Sequence, residues 1–421
     1  MRPEHNERLV RVGPGTPAGN LFRRYWQPAL LSSEISEPDG PQVRVRLLGE
    51  DLIAFRDSSG QVGLVGALCP HRLAPLFFAV NAAGGLRCPY HGLKFDRHGA
   101  CVDLPCEPPG SPVQSKIKLL AYPTHEAGDI VWTYMGPKDQ MPPPPNYEWL
   151  RVPKTHRFVS KTYEDCNYLQ GIEGGLDTAH VSFLHSQGGV AVTTLSKMDG
   201  APKLDVFVTP CGFRYVSRRL IGGDKAYIRH YQFVLPWQQM RPSIVDTTGK
   251  LQPHPTIDGH MWVPIDDEST YVYNIMYSYD EAHPLTEEFI RETEKIFGRG
   301  EDDLIPGTFR LKRNQSNDYL IDRQLQKQGN LSGVVGVNTQ DYALQEGMGK
   351  IADRTKEFLF STDRAIVAMR RQLLEAIRVV EEGGRPRGVD PAEHGSVRPH
   401  DDIVPIGPLE EKLVEGTVAK F

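Results

Sequence analysis

Cys69-Pro70-His71 and, after sixteen intervening residues, Cys88-Pro89-Tyr90-His91 are the positions whose residue types and spacing most directly imply chemistry. Each half offers one thiolate and one imidazole. Structural zinc sites more often pair Cys with Cys and His with His. A mixed pair in each half suits two irons bridged by sulfide, a [2Fe–2S] centre in which two cysteines hold one iron and two histidines the other. Replacing two thiolates by neutral imidazoles removes negative charge and raises the reduction potential, to roughly −150 to +300 mV. Pro70 and Pro89 fix tight loops, and Gly84, Gly85 and Gly92 let backbone amides approach the sulfurs.

A second constellation runs from Asn167 to His185 and contains Glu173, Asp177, His180 and His185. Glu173, Asp177 and His180 recur at helical steps, which predicts one shared face. His185 lies about 140° further round an ideal helix. Both histidines therefore reach one metal only if the helix ends or bulges between them. Two imidazoles and one carboxylate with vacant positions make the site of oxygen-activating iron. Asp177, three residues before His180, is better placed to hold that histidine than to reach the metal. The third ligand has three candidates: Asp341, Asp353 and Asp363. Asp363 opens an amphipathic run, Ile366, Met369, Leu373, Ile377 and Val380, at three- and four-residue steps.

Cys69-Pro-His-Arg and Cys88-Pro-Tyr-His-Gly-Leu-Lys-Phe-Asp resemble the paired loops of the Rieske non-haem iron ring-hydroxylating oxygenases. The Glu-x3-Asp-x2-His-x4-His pattern matches the same family at Glu173, Asp177, His180 and His185. Leu93, where the family often has Trp, and Leu73-Ala74-Pro75 depart from it without removing a ligand. Ser-Thr-Asp-Arg-Ala-Ile-Val resembles the segment carrying the family's carboxylate ligand, which favours Asp363. The resemblance spans nearly the whole chain and is nearest to the branch of phthalate and phenoxybenzoate dioxygenases. It implies the terminal oxygenase (alpha) component of a system that uses O2 on an aromatic substrate. An aromatic carboxylate such as a phthalate or phenoxybenzoate is expected, with O-demethylation or methyl hydroxylation of an aromatic acid or sulfonate as the alternative. It also implies a Rieske [2Fe–2S] cluster on Cys69, His71, Cys88 and His91, and mononuclear Fe(II) on His180, His185 and Asp363. Asp177 would carry electrons between subunits of a homotrimer or hexamer. The chain shows no Gly-x-Gly-x-x-Gly dinucleotide motif, so a separate NAD(P)H-dependent reductase, with flavin and a ferredoxin-type [2Fe–2S] cluster, is expected.

The elements that must position these groups follow from periodicity. From about 42 the apolar period is two, with turns at Asp57-Ser58-Ser59-Gly60 and Asp96-Arg97-His98-Gly99. The proline run Met141–Asn146 interrupts regular structure. Strand patterns return at 155–165 and, in antiparallel succession, over 203–280. The fold class expected is α+β: an all-β Rieske domain, and a catalytic domain with a twisted antiparallel sheet covered by helices, the helix from about 361 walling the pocket. The domains expected are an N-terminal segment 1–41 packing on the catalytic domain, a Rieske domain 42–146, a catalytic domain 147–385 and a tail 386–421. Residues 285–345 read as irregular and pocket-bordering, and the last nine residues as able to pack on a neighbour. Arg218, Arg219 and Arg229, on predicted pocket strands, are candidates to hold a substrate carboxylate.

Composition excludes other classes. At 421 residues and net charge −5, with basic residues dispersed, the chain shows no nucleic-acid surface. No apolar run approaches the ~20 residues of a membrane span, and six cysteines in so long a chain are not a disulfide framework. Reduced thiols and a cytoplasmic location are expected. A pure electron carrier would need only about one small domain, and a zinc hydrolase using His180 and His185 would differ in its metal.

Overall fold

Strand-forming alternation governs the chain from Trp26 to Tyr134, and the computed structural model, which describes residues 1–187 and 191–407, folds that stretch into small antiparallel sheets. One unit comprises Gly13–Gly15 and Gly19–Pro144. Its strands are β1 (Trp26–Leu31), β2 (Val43–Leu47), β3 (Glu50–Arg56), β4 (Val62–Gly66), β5 (Val80–Ala82), β6 (Gly85–Arg87), β7 (Lys94–Phe95), β8 (Cys101–Asp103), β9 (Ala121–Tyr122), β10 (Thr124–Ala127) and β11 (Ile130–Tyr134). They form three sheets, β1-β11-β10, β2-β3-β4-β9 and β5-β6-β7-β8. Ile53, Phe55, Val65, Leu86 and Phe95 build a core that also takes in Cys69 and Cys88. The Arg56 guanidinium, on β3, grips both carboxylate oxygens of Glu126 on β10 at 2.8 and 2.7 Å.

The other unit takes Met1–Val12, Thr16–Ala18 and the chain from Pro145 onward. Its strands are β12 (Arg157–Glu164), β13 (Lys203–Thr209), β14 (Gly212–Leu220), β15 (Lys225–Val234), β16 (Gln238–Val245), β17 (Leu251–Pro264), β18 (Thr270–Tyr277) and β19 (His400–Pro405). They make one sheet in the order β12-β18-β17-β16-β15-β14-β13, with β19 also on β15. One edge of β15 is shared: residues 232–234 pair with β16 and residues 225–230 with β19. Asp401 fixes β19 there, accepting from the Tyr227 hydroxyl at 2.8 Å and the Ile244 amide at 3.1 Å.

The helix Tyr168–Leu176 crosses this sheet. Asn167 caps it, accepting from the Leu169 amide and donating to Val10 and Asp267 carbonyls. A Cβ at Gly171 or Gly175 would fall about 2.2 or 2.1 Å from the Trp262 ring of β17, so only glycine permits this approach. Glu173 anchors the same helix, accepting from the Arg354 Nε at 2.8 Å and the Arg370 Nε at 2.7 Å.

Several expectations change. The segment 1–41 does not act as one piece: residues 1–12 join the catalytic unit, while β1 pairs with β11 in the other. Residues 386–407 are not a plain tail, because β19 completes the sheet; the last nine residues lie outside the described ones. Residues 285–345 border the cavity as expected but are irregular only in their middle, which the helices Glu287–Phe297 and Val337–Gly347 flank. Gly298 is the left-handed C-cap of the first (φ 74°), and Thr286 caps its start. The helix Arg364–Glu381 forms as expected but packs on β13 and β14, not on the pocket. Strand β16 has little alternation of its own, because Pro242 and the run Gln238-Gln239-Met240 mask it. No helix among the described residues is long and apolar enough to cross a membrane.

Candidate metal centres

The two cysteine–histidine loops adopt nearly the same turn. The Leu73 amide donates to the Cys69 carbonyl and the Cys69 amide to the Ala74 carbonyl; the Gly92 amide donates to the Cys88 carbonyl and the Cys88 amide to the Leu93 carbonyl. Each turn needs a left-handed residue at its fifth position, supplied by Leu73 (φ 58°) in one and Gly92 (φ 77°) in the other. Gly92 has no alternative, since a Cβ there would lie 2.7 Å from Pro105. Leu73 projects outward, 66% exposed, and tolerates the strained backbone.

These turns point the sulfurs inward and the imidazoles outward. Cys69 and Cys88 are buried, His71 is exposed, and the His71 and His91 Nδ1 atoms converge at 3.1 Å. Burial, with the Cys88 sulfur beside it, pushes the Cys69 thiol up to about 11. Two buried sulfurs so placed become thiolates only against strong local positive charge. Two irons fit that demand, with the imidazole nitrogens completing the set. The remaining cysteines form no disulfide.

At the second constellation the helix stops before the histidines. It ends at Leu176, Asp177 is its C-cap, and His180 opens a short 3-10 turn. The three residues therefore do not share one helical face, and this early end lets both histidines converge. Their Nε2 atoms lie 3.1 Å apart. The carboxylate brought to them is Asp341, on the helix Val337–Gly347, whose Oδ1 lies 3.1 Å from His185 Nε2 and 3.6 Å from His180 Nε2. These three donors stand within 4.8 Å of one another, close enough to surround one ion. Asp363 is not among them: its carboxylate accepts from the Phe360 amide at 2.6 Å and stands at the start of the helix Arg364–Glu381. The third-ligand assignment moves accordingly from Asp363 to Asp341. Asp353 is spent on Thr355 and Lys356.

Each imidazole has its other nitrogen supported. His185 Nδ1 donates to Gln340 Oε1 at 2.8 Å, and Gln340 is itself held by its Nε2 donating to the Val334 carbonyl. His180 Nδ1 faces Asp177 Oδ2 at 3.5 Å, while Asp177 Oδ1 accepts from the Ala179 amide. Both rings are thereby turned to present Nε2 inward. Burial alone would raise the Asp177 and Asp341 carboxyls, but the histidines override it and hold both below the ordinary range.

These donors open onto a cavity of about 370 Å³ between the sheet and the helices Glu287–Phe297 and Val337–Gly347. Trp262, Met276, Phe289 and Phe297 give it an apolar slot, and β16 and β17 add Arg241, Asp258 and His260. Of the three arginines expected in the pocket, only Arg229 lines it. Its donors already reach the Pro242 carbonyl and the Tyr231 hydroxyl. Arg219 is buried and braces the Thr178 carbonyl at 2.6 Å, beside Asp177. Arg218 does not line the cavity. Arg241 was missed with the strand that bears it. Burial, beyond what Asp258 offsets, holds its guanidinium below its ordinary value.

Comparison with known proteins agrees with this arrangement. Residues 25–123 match the Rieske [2Fe-2S] domain, and residues 133–407 match the family described as LigXa C-terminal domain like. The chain belongs to the Rieske non-haem iron oxygenases, as an oxygenase subunit. It is 37% identical to the phthalate 4,5-dioxygenase oxygenase subunit of Pseudomonas putida, over 91% of this chain and 88% of that one. It is also 37% identical to the 3-chlorobenzoate-3,4-dioxygenase oxygenase subunit of Comamonas testosteroni, over 92% and 91%. Dicamba monooxygenase bound to 3,6-dichlorosalicylic acid shares the fold, with a TM-score of 0.62 at 17% identity, covering 85% of this chain and 98% of that one. As a family member the protein is an oxidoreductase that carries a [2Fe–2S] cluster and mononuclear iron, uses O2, and draws electrons from a separate protein.

Proposed function

We propose that this protein hydroxylates an aromatic carboxylate, with the cluster on Cys69, His71, Cys88 and His91 and the mononuclear iron on His180, His185 and Asp341. The observation that carries the substrate class is Arg241, a guanidinium that lines the cavity holding the three donors and has no carboxylate bonded to it among the described residues. A buried cation of this kind favours an anionic ligand. Both relatives above act, by name, on aromatic acids. The iron supplies the redox chemistry by which O2 becomes an oxidant of the substrate. The residues do the rest. Gln340 and Asp177 fix the imidazole tautomers, Trp262 and Phe289 offer flat apolar surface to a ring, and Arg241 draws the carboxylate to β16.

Asp177 also fits the role of electron bridge. Its side chain, 28% exposed, touches His180 on one side and is accessible on the other. A cluster histidine of a neighbouring copy would meet it there, which calls for a homotrimer or hexamer. A flavin- and ferredoxin-type reductase using NAD(P)H and a cytoplasmic setting complete the reading, the latter supported by the four cysteines outside the cluster, none of which forms a disulfide.

The test is a panel of aromatic acids and their uncharged amides, with O2 uptake followed in the presence of NADH and a phthalate-type reductase. At least one aromatic acid should be oxidised and its amide should not. Equal turnover of the amides would remove the carboxylate from the reading.

A further inference from the structure

Arg241 and Asp258 are register partners across β16 and β17, and both line the cavity. Opposite charges placed directly opposite on one sheet face ordinarily pair. These do not. Arg241 Nη2 donates to His260 Nε2 at 2.8 Å, and its Nη1 reaches Gln239 Oε1 at 3.4 Å. The Asp258 carboxyl has no hydrogen bond or ion pair with any described residue.

The surrounding cations are already committed. Arg229 is bonded to Pro242 and Tyr231, and Arg299 to Glu294 and Asn338. Burial raises the Asp258 carboxyl above its ordinary value despite Arg241, Arg299 and Arg229 nearby, and burial lowers Arg241. A formed ion pair would move both the other way. The wall of the cavity thus presents a guanidinium held only by neutral partners, with N–H groups to spare, beside an unused acceptor, in the same cavity as His180, His185 and Asp341.

We infer that the substrate completes this broken pair, its carboxylate taken by Arg241 and a hydrogen-bond donor on the same ring taken by Asp258. The substrate class is then an aromatic acid that also bears a hydroxyl or amino group. Asp258 is the specificity residue that selects for it. A phenol or ring amine brings the O–H or N–H that the carboxylate lacks. A second carboxylate would meet Asp258 as a like charge, and an unsubstituted ring would leave it dry and unpaired. This rests on the aromatic-carboxylate reading above and narrows it.

The test is anaerobic calorimetric titration of the iron-loaded protein with benzoate, benzene-1,2-dicarboxylate, the three monohydroxybenzoates, the three aminobenzoates and benzamide. At least one hydroxy- or aminobenzoate should bind about ten- to hundredfold more tightly than benzoate, the range expected for a hydrogen bond to a charged group. Asp258→Leu should erase that preference while leaving benzoate bound. Asp258→Asn, which keeps size and shape, should reduce the preference in a fold that is sure to form. Arg241→Gln should weaken every acid alike. Equal binding of benzoate and all its hydroxy and amino derivatives would overturn the inference. Tightest binding of the dicarboxylate, or a preference that survives both Asp258 variants, would also overturn it. If benzamide binds as well as every acid, the aromatic-carboxylate reading itself fails, a result distinct from loss of the donor preference alone.

Discussion

The cluster loops and the mononuclear site solve the same problem, converging donors on iron, by opposite means. All four cluster donors lie between Cys69 and His91 and are aimed by turns that close on themselves, Leu73 to Cys69 and Gly92 to Cys88. At the other site, Gln340, which orients His185, lies 155 residues away in sequence, and Asp341 follows it. Nothing local brings them there; the sheet and the helix Val337–Gly347 do. A site built from turns is specified by its own segment, whereas a site built from packing is specified by the whole unit. They also differ in access: His71 is exposed, while His185 is buried. The first is suited to exchanging electrons with another surface and the second to keeping water from a substrate.

The strongest way to break this comparison is at the remote carboxylate. Asp341→Ala should abolish turnover and lower iron from about three to about two per chain, leaving the cluster spectrum intact. Asp363→Ala should keep all three. Iron analysis beside the visible spectrum decides, and the reverse outcome would return the ligand to the helix start.

A smaller effect is expected at Asp177, which supports a ligand without being one. Asp177→Asn should retain the iron and a reducible cluster while turnover drops, by about 10–100-fold or more if electrons also cross there. Cluster reoxidation in stopped flow separates the cases. Rapid reoxidation with substrate bound would limit Asp177 to holding His180.

The two turns can be compared with each other by substitution. Gly92→Ala puts a Cβ against Pro105 at a left-handed position and should cost about 1–3 kcal/mol, with visible loss of cluster. Leu73→Gly relieves the same backbone strain but loosens the unfolded chain, so stability should stay within about 1 kcal/mol of the parent. Thermal unfolding followed at a cluster absorption band reads both.

The smallest effect belongs to the scaffold of the cluster unit. Arg56 holds the Glu126 carboxyl below its ordinary value, chiefly by their hydrogen bond. A depressed carboxylate contributes stability above its unfolded pKa of about 4.3, which is lost as pH falls through the folded value. Glu126 is 37% exposed, so solvent screening leaves less than about 1 kcal/mol. Glu126→Gln should lower the unfolding temperature slightly at pH 7, and the difference should shrink as pH falls below the ordinary carboxylate range.

What could be read from sequence follows the same division. Cys69, His71, Cys88 and His91 were legible because the spacing itself is the turn, and His180 and His185 because a short segment carries both. Asp341 was one of three acids in view, but Asp363 has the better local credentials, a clear amphipathic helix behind it, and helix starts attract acids for reasons unrelated to metal. No periodicity marks Val337–Gly347, whose sequence is mostly polar. The Glu287–Phe297 helix was more available, since Thr286, two glutamates and a closing Gly298 frame it. Arg241 and Asp258 stayed hidden because a proline and a run of glutamines obscure β16, and only strand register sets the two side by side.

The strand His400–Pro405 has a consequence for how the protein is made. Residues 225–230 of β15 are synthesised roughly 170 residues before the strand that covers them, a delay on the order of ten to thirty seconds at ordinary ribosome speeds. Through that interval one half of β15 offers bare amides and carbonyls, the form of edge along which chains aggregate. Nascent chains stalled or cut short of His400 would keep that edge open permanently. Expression yield should therefore depend strongly on the intact C-terminal strand, although it supplies no ligand to either metal.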